Sequence, residues 1–294
     1  MNPRAGTRVK AYLQLMRLPN VFTAIADIVA GYVIVRGFAG SIGELGALVL
    51  ATSGIYAAGC VLNDCCDREI DARERPSRPL PSGRVSEREA LLLACFLFAA
   101  GLFGACLAGP ASFFLALAIV LLVIIYDTWS KRYPIAGPLN MAACRAGNLL
   151  LGMSPALAVS LSLIFPLVSF GYIFLVTRFS RLETEGNAAG QAWWMAGGIA
   201  AILLLFAALA GRGDIRADAF LYLALLACLV LPPLRRALRH NTPRAVQQSV
   251  RSLILAIPFL DAAYAAALQG AVAGLPAVFC LLPALLIARF FYVT

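Results

Sequence analysis

The chain has 294 residues, of which 61% are hydrophobic and 13% charged, and its 24 Lys and Arg against 15 Asp and Glu give a net charge of +9. Soluble domains carry about 25% charged residues, so this composition excludes a soluble globular enzyme, a disordered chain and a coiled coil. In so apolar a chain we assign the excess positive charge to loops that face anionic lipid, and we expect no nucleic-acid partner. The sequence therefore predicts an all-α polytopic membrane protein.

Ten apolar segments follow one another along the chain, each about long enough to cross a bilayer as a helix. They are predicted at 18–35, 44–62, 90–107, 111–126, 139–158, 161–177, 192–210, 220–238, 249–268 and 272–290. We expect nine or ten of them to span the membrane in a single domain over 1–294, with 272–290 as an additional C-terminal span.

The distribution of Lys and Arg along the chain predicts the orientation. The N-terminus, the C-terminal end and the loops after the second, fourth, sixth and eighth segments hold nearly all of these residues. Because Lys and Arg mark the cytoplasmic side of a membrane, we expect a multi-pass protein of the cell inner (plasma) membrane. Both termini and the loops with the motifs described below are then cytoplasmic.

Carboxylates are concentrated after the second segment, where seven of the fifteen fall between positions 64 and 89. If the helix continues, Asp64, Asp67 and Asp71 lie on one face of it. Three carboxylates so placed repel each other, and a hard cation such as Mg²⁺, which takes oxygen ligands, would neutralise them. The alternative is a solvated interfacial loop whose arginines pair with these acids, namely Arg68, Arg73, Arg75 and Arg78.

The turn-rich loop at 74–84 contains Arg75 and Arg78, whose planar guanidinium groups suit diphosphate oxygens; alternatively they act only as topology signals. The fourth segment ends near Tyr126 and is followed by Lys131 and Arg132 on the same side of the membrane. These two cations either face the acidic motif or extend to lipid headgroups. We expect Asp127 to pair with Lys131, one helical turn later.

A second group of charged residues follows the sixth segment, where Arg178 precedes Glu183 and Glu185. It lies on the same predicted side as the first acidic motif. Two acidic groups facing the same way would hold two metal ions across a cavity, and the alternative is a solvated loop.

Polar residues also interrupt or border the apolar segments at Asn20, Asp27, Arg145, Asn148 and Asp261. Ionisable groups inside a membrane are costly, which favours a functional role for them. Arg145 and Asn148 share a helix face that we expect to point into the bundle, and Asn20 is placed to reach the same cavity. Asp261 is interpreted as either functional or a structural hydrogen-bonding residue.

The motif N-D-x-x-D-x-x-x-D at 63–71, together with Y-x-x-x-x-K-R at 126–132, resembles the UbiA superfamily of intramembrane prenyltransferases. Within it, the run R-P-x-R-P-x-P-S-G-R at 75–84 and the residues at 137–148 resemble the EboC-like branch, which is associated with bacterial gene clusters for secondary metabolites. The resemblance implies a helical bundle around a central cavity that binds an isoprenoid diphosphate and Mg²⁺.

The expected site residues, taken from the residue patterns and from the resemblance together, fall into three groups. Asp64, Asp67 and Asp71 are expected metal ligands, with Glu183 and Glu185 for a second ion, although the chain departs from the usual second motif. Asp64, Asp67 and Lys131 are the expected catalytic residues. The expected substrate-binding residues are Asn20, Asn63, Arg75, Arg78, Tyr126, Lys131, Arg132, Arg145, Asn148 and Arg178.

The expected function is Mg²⁺-dependent transfer of an isoprenoid group from an allylic diphosphate to an aromatic or other small acceptor, in secondary-metabolite biosynthesis. The partners implied are that diphosphate, the acceptor and membrane lipid. The alternative is a non-catalytic membrane component that binds or transports a prenylated or aromatic metabolite. The sequence specifies neither the isoprenoid length nor the oligomeric state.

Overall fold

A computed structural model describes residues 3–181, 188–240 and 242–289, and within these ranges the regular structure is entirely helical. Three short 3₁₀ turns connect some of the helices, at Ser130–Arg132, Ser154–Ala156 and Leu161–Leu163. The α-helices are α1 (Pro3–Leu15), α2 (Leu18–Arg36), α3 (Ile42–Cys66), α4 (Arg68–Glu74), α5 (Glu87–Ala108), α6 (Pro110–Thr128), α7 (Ala136–Met153), α8 (Ile164–Ser180), α9 (Ala188–Gly211), α10 (Ala219–His240), α11 (Pro243–Leu255), α12 (Ile257–Gln269), α13 (Ala271–Phe279) and α14 (Leu281–Ala288).

Local sequence signals explain where several helices begin. The Ser41 side chain caps α3 by accepting from the backbone N–H of Glu44, and Ser86 and Glu89 form a capping box at the start of α5. Pro110 occupies the first turn of α6, where its missing N–H costs nothing. These caps place the helix starts in the polar junctions between the predicted apolar segments.

Eight helical stretches in the described ranges are long and apolar enough to cross a membrane, which confirms the multi-pass prediction. α7 is not among them because its polar residues lower its hydropathy. The eight are Leu18–Arg36, Ile42–Cys66, Glu87–Ala108, Pro110–Thr128, Leu161–Ser180, Trp193–Gly211, Ala219–Arg239 and Arg244–Gln269.

The last two predicted segments are each broken into two helices. The ninth is interrupted at Ala256 between α11 and α12, and the tenth at Cys280 between α13 and α14. Pro258 and Pro283 lie just after these breaks, and neither has the N–H that would bond the carbonyl four residues earlier. The apolar stretch Ala271–Ile287 is correspondingly shorter than a full span.

The basic N-terminal segment forms a helix that the sequence pattern did not predict. Its Ala11 and Leu15 side chains are fully buried in a small cluster with Val61 of α3 and Val85 of the following loop. α1 therefore packs against the end of α3 where the acidic motif lies.

Glycines allow the backbones of α3 and α5 to touch. A Cβ atom on Gly54 would lie 2.6 Å from the Leu97 carbonyl oxygen and 2.8 Å from the amide nitrogen of Gly101. Small residues permit this close approach in membrane bundles, where packing rather than hydrophobic exclusion holds helices together.

We expect Gly54→Ala to destabilise the folded protein by about 1–3 kcal/mol, because the atoms it would meet are rigid backbone. Gly46→Ala is the matched control on the same helix, since a Cβ atom there meets nothing within 4 Å and alanine has the better helix propensity. Thermal unfolding of the two variants in detergent measures the difference. Equal unfolding temperatures would contradict this close packing of α3 against α5.

Candidate active site

The acidic motif lies at a break in the helix rather than on one continuous helix. α3 ends at Cys66, α4 begins at Arg68, and Asp67 between them has non-helical backbone angles (φ −96°, ψ 6°). The expectation of an unbroken helical face is therefore wrong. The break directs Asp64 and Asp71 toward one set of cations and Asp67 toward another.

Two arginines from distant parts of the chain pair with the buried carboxylates of Asp64 and Asp71. Arg17 Nη2 lies 2.7 Å from Asp64 Oδ1, while Arg78 Nη1 lies 2.6 Å from Asp71 Oδ2 and 3.5 Å from Asp64 Oδ1. The solvated-loop alternative assigned four arginines as partners of these acids, and of these Arg78 pairs with Asp64 and Asp71. Arg68 instead pairs with Glu87 at 2.5 Å.

Arg17 is a site residue that the sequence analysis missed. It lies between α1 and α2 and has the only positive φ (46°) among the non-glycine residues of the described ranges, a conformation that costs free energy and persists where surrounding structure enforces it. Burial lowers the pKa of its guanidinium, but nearby negative charge at Asp64 raises it, and the net pKa is above the ordinary value. Arg17 therefore carries a fixed positive charge.

Lys131 pairs with Asp67 and not, as expected, with Asp127. The helix α6 ends at Thr128, and the following 3₁₀ turn redirects Lys131 so that its Nζ lies 2.7 Å from Asp67 Oδ1. The carboxylate of Asp127 instead accepts a hydrogen bond of 2.9 Å from Asn63 Nδ2. Both interactions join the end of α3 to the end of α6.

Two arginines at the C-terminal end of α8 donate hydrogen bonds to the backbone of the turn that carries Lys131 and Arg132. Arg181 donates from Nη2 to the Lys131 carbonyl at 2.7 Å and from Nη1 to the Tyr133 carbonyl at 2.8 Å. Arg178 Nη1 donates to the Pro134 carbonyl at 2.8 Å. Thus Arg178, which we expected to bind substrate, makes a backbone contact that positions this turn.

These elements enclose a cavity of about 540 Å³ at one end of the bundle. It combines five cationic with three carboxylate side chains and thus favours a polyanionic ligand. Eight of the predicted site residues line it. The complete lining is Arg17, Asn63, Cys66, Asp67, Ile70, Asp71, Glu74, Arg75, Arg78, Tyr126, Lys131 and Arg132.

Several predicted site residues lie elsewhere. Arg145 and Asn148 belong to a separate buried network around Asp27, and Asn20 is not part of the cavity lining. Arg178 lines a second, smaller cavity of about 220 Å³. Glu183 and Glu185 lie outside the described residues. The substrate-binding or metal-binding roles of these residues stay predictions.

Oxygen donors on the cavity wall match the chemistry of a hard cation. Asp67, Asp71 and Asn63 line the cavity, and carboxylate and amide oxygens are ligands that Mg²⁺ accepts. Within the described ranges, no three His, Cys, Asp or Glu side chains are already gathered as a metal-binding group. The ion pairs explain this, since each carboxylate of the triplet faces an Arg or a Lys, which a metal ion would have to displace.

Curated relatives are similar to a part of this chain. The digeranylgeranylglyceryl phosphate synthase of Sulfurisphaera tokodaii is 34% identical over 138 residues, covering 47% of this chain and 50% of that protein. The enzyme of the same name from Sulfolobus acidocaldarius is 34% identical over 179 residues, covering 60% and 63%. The chain thus matches about half to two-thirds of the length of these relatives. Their name does not support placement in the EboC-like branch.

Solved structures share the fold over most of the chain. One described as digeranylgeranylglyceryl phosphate synthase in membranes has a TM-score of 0.68 at 20% identity, covering 90% of this chain and 99% of that one. A UbiA homologue from Archaeoglobus fulgidus bound to GPP and Mg²⁺ has a TM-score of 0.58 at 13% identity, covering 92% and 99%. The predicted helical bundle is thereby confirmed.

A family model identifies the chain. The model described as "UbiA prenyltransferase family" matches residues 24–174, which include the acidic motif and the Lys131–Arg132 turn. This match covers just over half of the 294 residues, and the chain therefore belongs to the UbiA prenyltransferase family.

Proposed function

We propose that the chain transfers an isoprenoid group from an allylic diphosphate to a small acceptor within the membrane, as a single domain. The observation that carries this proposal is the cavity of about 540 Å³ at one end of the apolar bundle. It is lined by five cationic side chains, Arg17, Arg75, Arg78, Lys131 and Arg132. A diphosphate requires such cations, and its isoprenoid chain requires the apolar surroundings that the helices provide. The basic loops favour placing this end of the bundle at the cytoplasmic face of the inner membrane.

Mg²⁺ is the metal that these residues suit, and the Archaeoglobus fulgidus homologue binds it together with GPP. Asp67, Asp71 and Asn63 would hold it from the cavity wall, with the buried Asp64 behind them. When bound, Mg²⁺ supplies positive charge that stabilises the departing diphosphate.

The cationic side chains bind and orient the donor. Lys131 pairs with Asp67 in this structure, and its ammonium would be free to bind diphosphate oxygens if the Asp67 carboxylate held Mg²⁺ instead. Arg132 and Arg75 also line the cavity and add fixed charges where negative charge develops. The apolar helices exclude water, which protects the allylic carbocation until the acceptor captures it.

For the acceptor we propose a phosphorylated glycerol. The relatives' name describes a product in which glycerol phosphate carries two geranylgeranyl groups, and the cationic excess of the cavity suits a second anionic substrate. An aromatic acceptor and a role in secondary-metabolite biosynthesis remain the second candidate, because Tyr126 provides an aromatic wall beside the cations.

Product formation by the purified protein tests this function. The protein is incubated with geranyl, farnesyl or geranylgeranyl diphosphate, with and without Mg²⁺, and with either geranylgeranylglyceryl phosphate or a panel of aromatic acceptors. We expect Mg²⁺-dependent prenylation of the glycerol phosphate, detected by mass spectrometry. Prenylation of an aromatic acceptor alone would favour the second candidate. Donor binding without product for any acceptor would favour a non-catalytic binding or transport component.

We expect Arg181→Gln to lower kcat/KM for the donor by about 10–100-fold, because Lys131 loses the support that fixes its backbone. The effect should fall mainly on KM, since Arg181 contacts the turn and not the cavity. Steady-state kinetics measure it, with Arg212→Gln, an exposed arginine between α9 and α10, as the control. A loss in kcat at unchanged KM would contradict this positioning role.

A further inference from the structure

A buried carboxyl group in α12 has no hydrogen-bond donor. Asp261 is completely buried, and neither of its oxygens has a donor among the described residues. An ionised carboxylate without a donor or a cation is one of the most costly groups to place inside a membrane bundle. The charge on Asp261 must therefore be removed or balanced locally.

A second carboxyl group, Asp27 of α2, interacts with Asp261. Asp27 Oδ2 lies 2.7 Å from Arg145 Nε and accepts a 2.8 Å hydrogen bond from Asn148 Nδ2, and Asp261 lies within hydrogen-bonding reach of the same Asp27 carboxyl. Two carboxyl groups are thus in contact, and a contact between two acceptors is attractive only if one of them holds a proton.

The charge balance of this cluster requires one proton. Arg145 is the cation that faces the pair, and the other titratable groups facing it in the described part of the chain are Tyr56 of α3, Tyr264 of α12 and Cys280 at the α13–α14 break. The tyrosines and the cysteine are neutral in an apolar interior. Two ionised carboxylates beside one guanidinium would leave a net negative charge, whereas one carboxylate and one acid leave none.

We propose that Asp27 and Asp261 form a buried proton-binding site, in which Asp261 is the neutral acid and donates its proton to the ionised Asp27. The proton supplies the donor that the oxygens of Asp261 otherwise lack. It leaves a single negative charge for Arg145, whose Nη2 also donates to the Thr23 carbonyl at 2.5 Å.

This site ties four helices together. Asn148 of α7 donates to Asp27 of α2 and accepts from Thr52 of α3 at 2.7 Å, while Asp261 brings in α12. Arg145 acts in this arrangement as a structural anchor between α7 and α2. The inference is independent of the proposed transferase activity, because it rests on residues outside the cavity lining.

Infrared spectroscopy of the full chain in detergent detects the proton directly. A protonated carboxyl has a C=O stretch above the amide region, which shifts when aspartate carries ¹³C in its side-chain carboxyl. We expect the wild-type spectrum to contain such a band at neutral pH and Asp261→Asn to lose it. The exposed carboxylate Asp214 provides the control, since Asp214→Asn should leave the band unchanged.

Stability measurements distinguish a proton from other ways to balance the charge. Asp261→Asn should unfold at nearly the wild-type temperature, because the carboxamide can donate the same hydrogen bond, whereas Asp261→Leu should unfold earlier. Absence of a wild-type acid band that depends on Asp261 would overturn the proposal. So would stability that falls when choline replaces Na⁺ in the buffer, since a bound metal ion would then occupy the place of the proton.

Discussion

Asp67→Asn is expected to lower Mg²⁺-dependent diphosphate release by about 10²–10³-fold while the protein remains folded. Asp67 is the carboxylate of the triplet that Lys131 holds, and its side chain is 25% exposed, so the isosteric amide fits and its oxygen can still accept a hydrogen bond from the Lys131 ammonium. The substitution removes the negative charge that would attract the metal ion in place of Lys131. Release of inorganic diphosphate from an allylic donor measures the effect.

Glu69→Gln is the matched control for this variant. Glu69 lies two residues away on α4 and is exposed, but it does not line the cavity. Activity close to that of the wild type is expected. If the two variants were equally active, the carboxylate of Asp67 would have no role in the reaction.

Arg78→Gln should reduce the free energy of unfolding by about 3 kcal/mol in the absence of Mg²⁺. Arg78 is the cation shared by Asp64 and Asp71, and removing one partner of a buried ion pair leaves an uncompensated charge. Arg17 still neutralises Asp64, so the cost arises mainly at Asp71. Added Mg²⁺ should restore part of the stability, because it replaces the missing positive charge.

Thermal unfolding at several Mg²⁺ concentrations tests the Arg78 prediction. Arg73→Gln serves as the control, since this exposed arginine of α4 makes no ion pair within the described ranges. A Mg²⁺ effect of the same size in both variants would show that the metal acts elsewhere.

Composition and patterning predict the membrane class and the helix positions well, because a bilayer allows few solutions for an apolar chain. What they miss depends on local backbone chemistry or on tertiary packing. The tenth segment is predicted as one span, but its helix is interrupted at Cys280, three residues before Pro283. The helix at the N-terminus is amphipathic and short, and it buries Ala11 and Leu15 against α3.

The sequence predicts which residues form the site more completely than it predicts which of them pair with one another. Asp64, Asp67, Asp71 and Lys131 stand out because charge is rare in this chain, but helical spacing assigns Lys131 the wrong partner. Spacing rules hold only while a helix continues, and α6 ends before Lys131.

Long-range contacts between ionisable side chains have no signature in the sequence. The contact between Arg17 and Asp64 joins residues 47 positions apart. The pair formed by Asp27 and Asp261 joins α2 to α12, at opposite ends of the chain. Each of these residues is noticeable as a charge in or near an apolar segment, and only the packing of the helices shows which charges meet.

Equilibrium binding of geranylgeranyl thiolodiphosphate, an unreactive donor analogue, tests most directly whether the cavity is a Mg²⁺-dependent diphosphate site. The measurement needs no acceptor and uses the wild-type protein with Asp67→Asn and Lys131→Met beside it. We expect binding to the wild type only when Mg²⁺ is present, competition by inorganic diphosphate, and at least tenfold weaker binding to both variants. Binding that is independent of Mg²⁺ and unaffected by either substitution would contradict the proposed site.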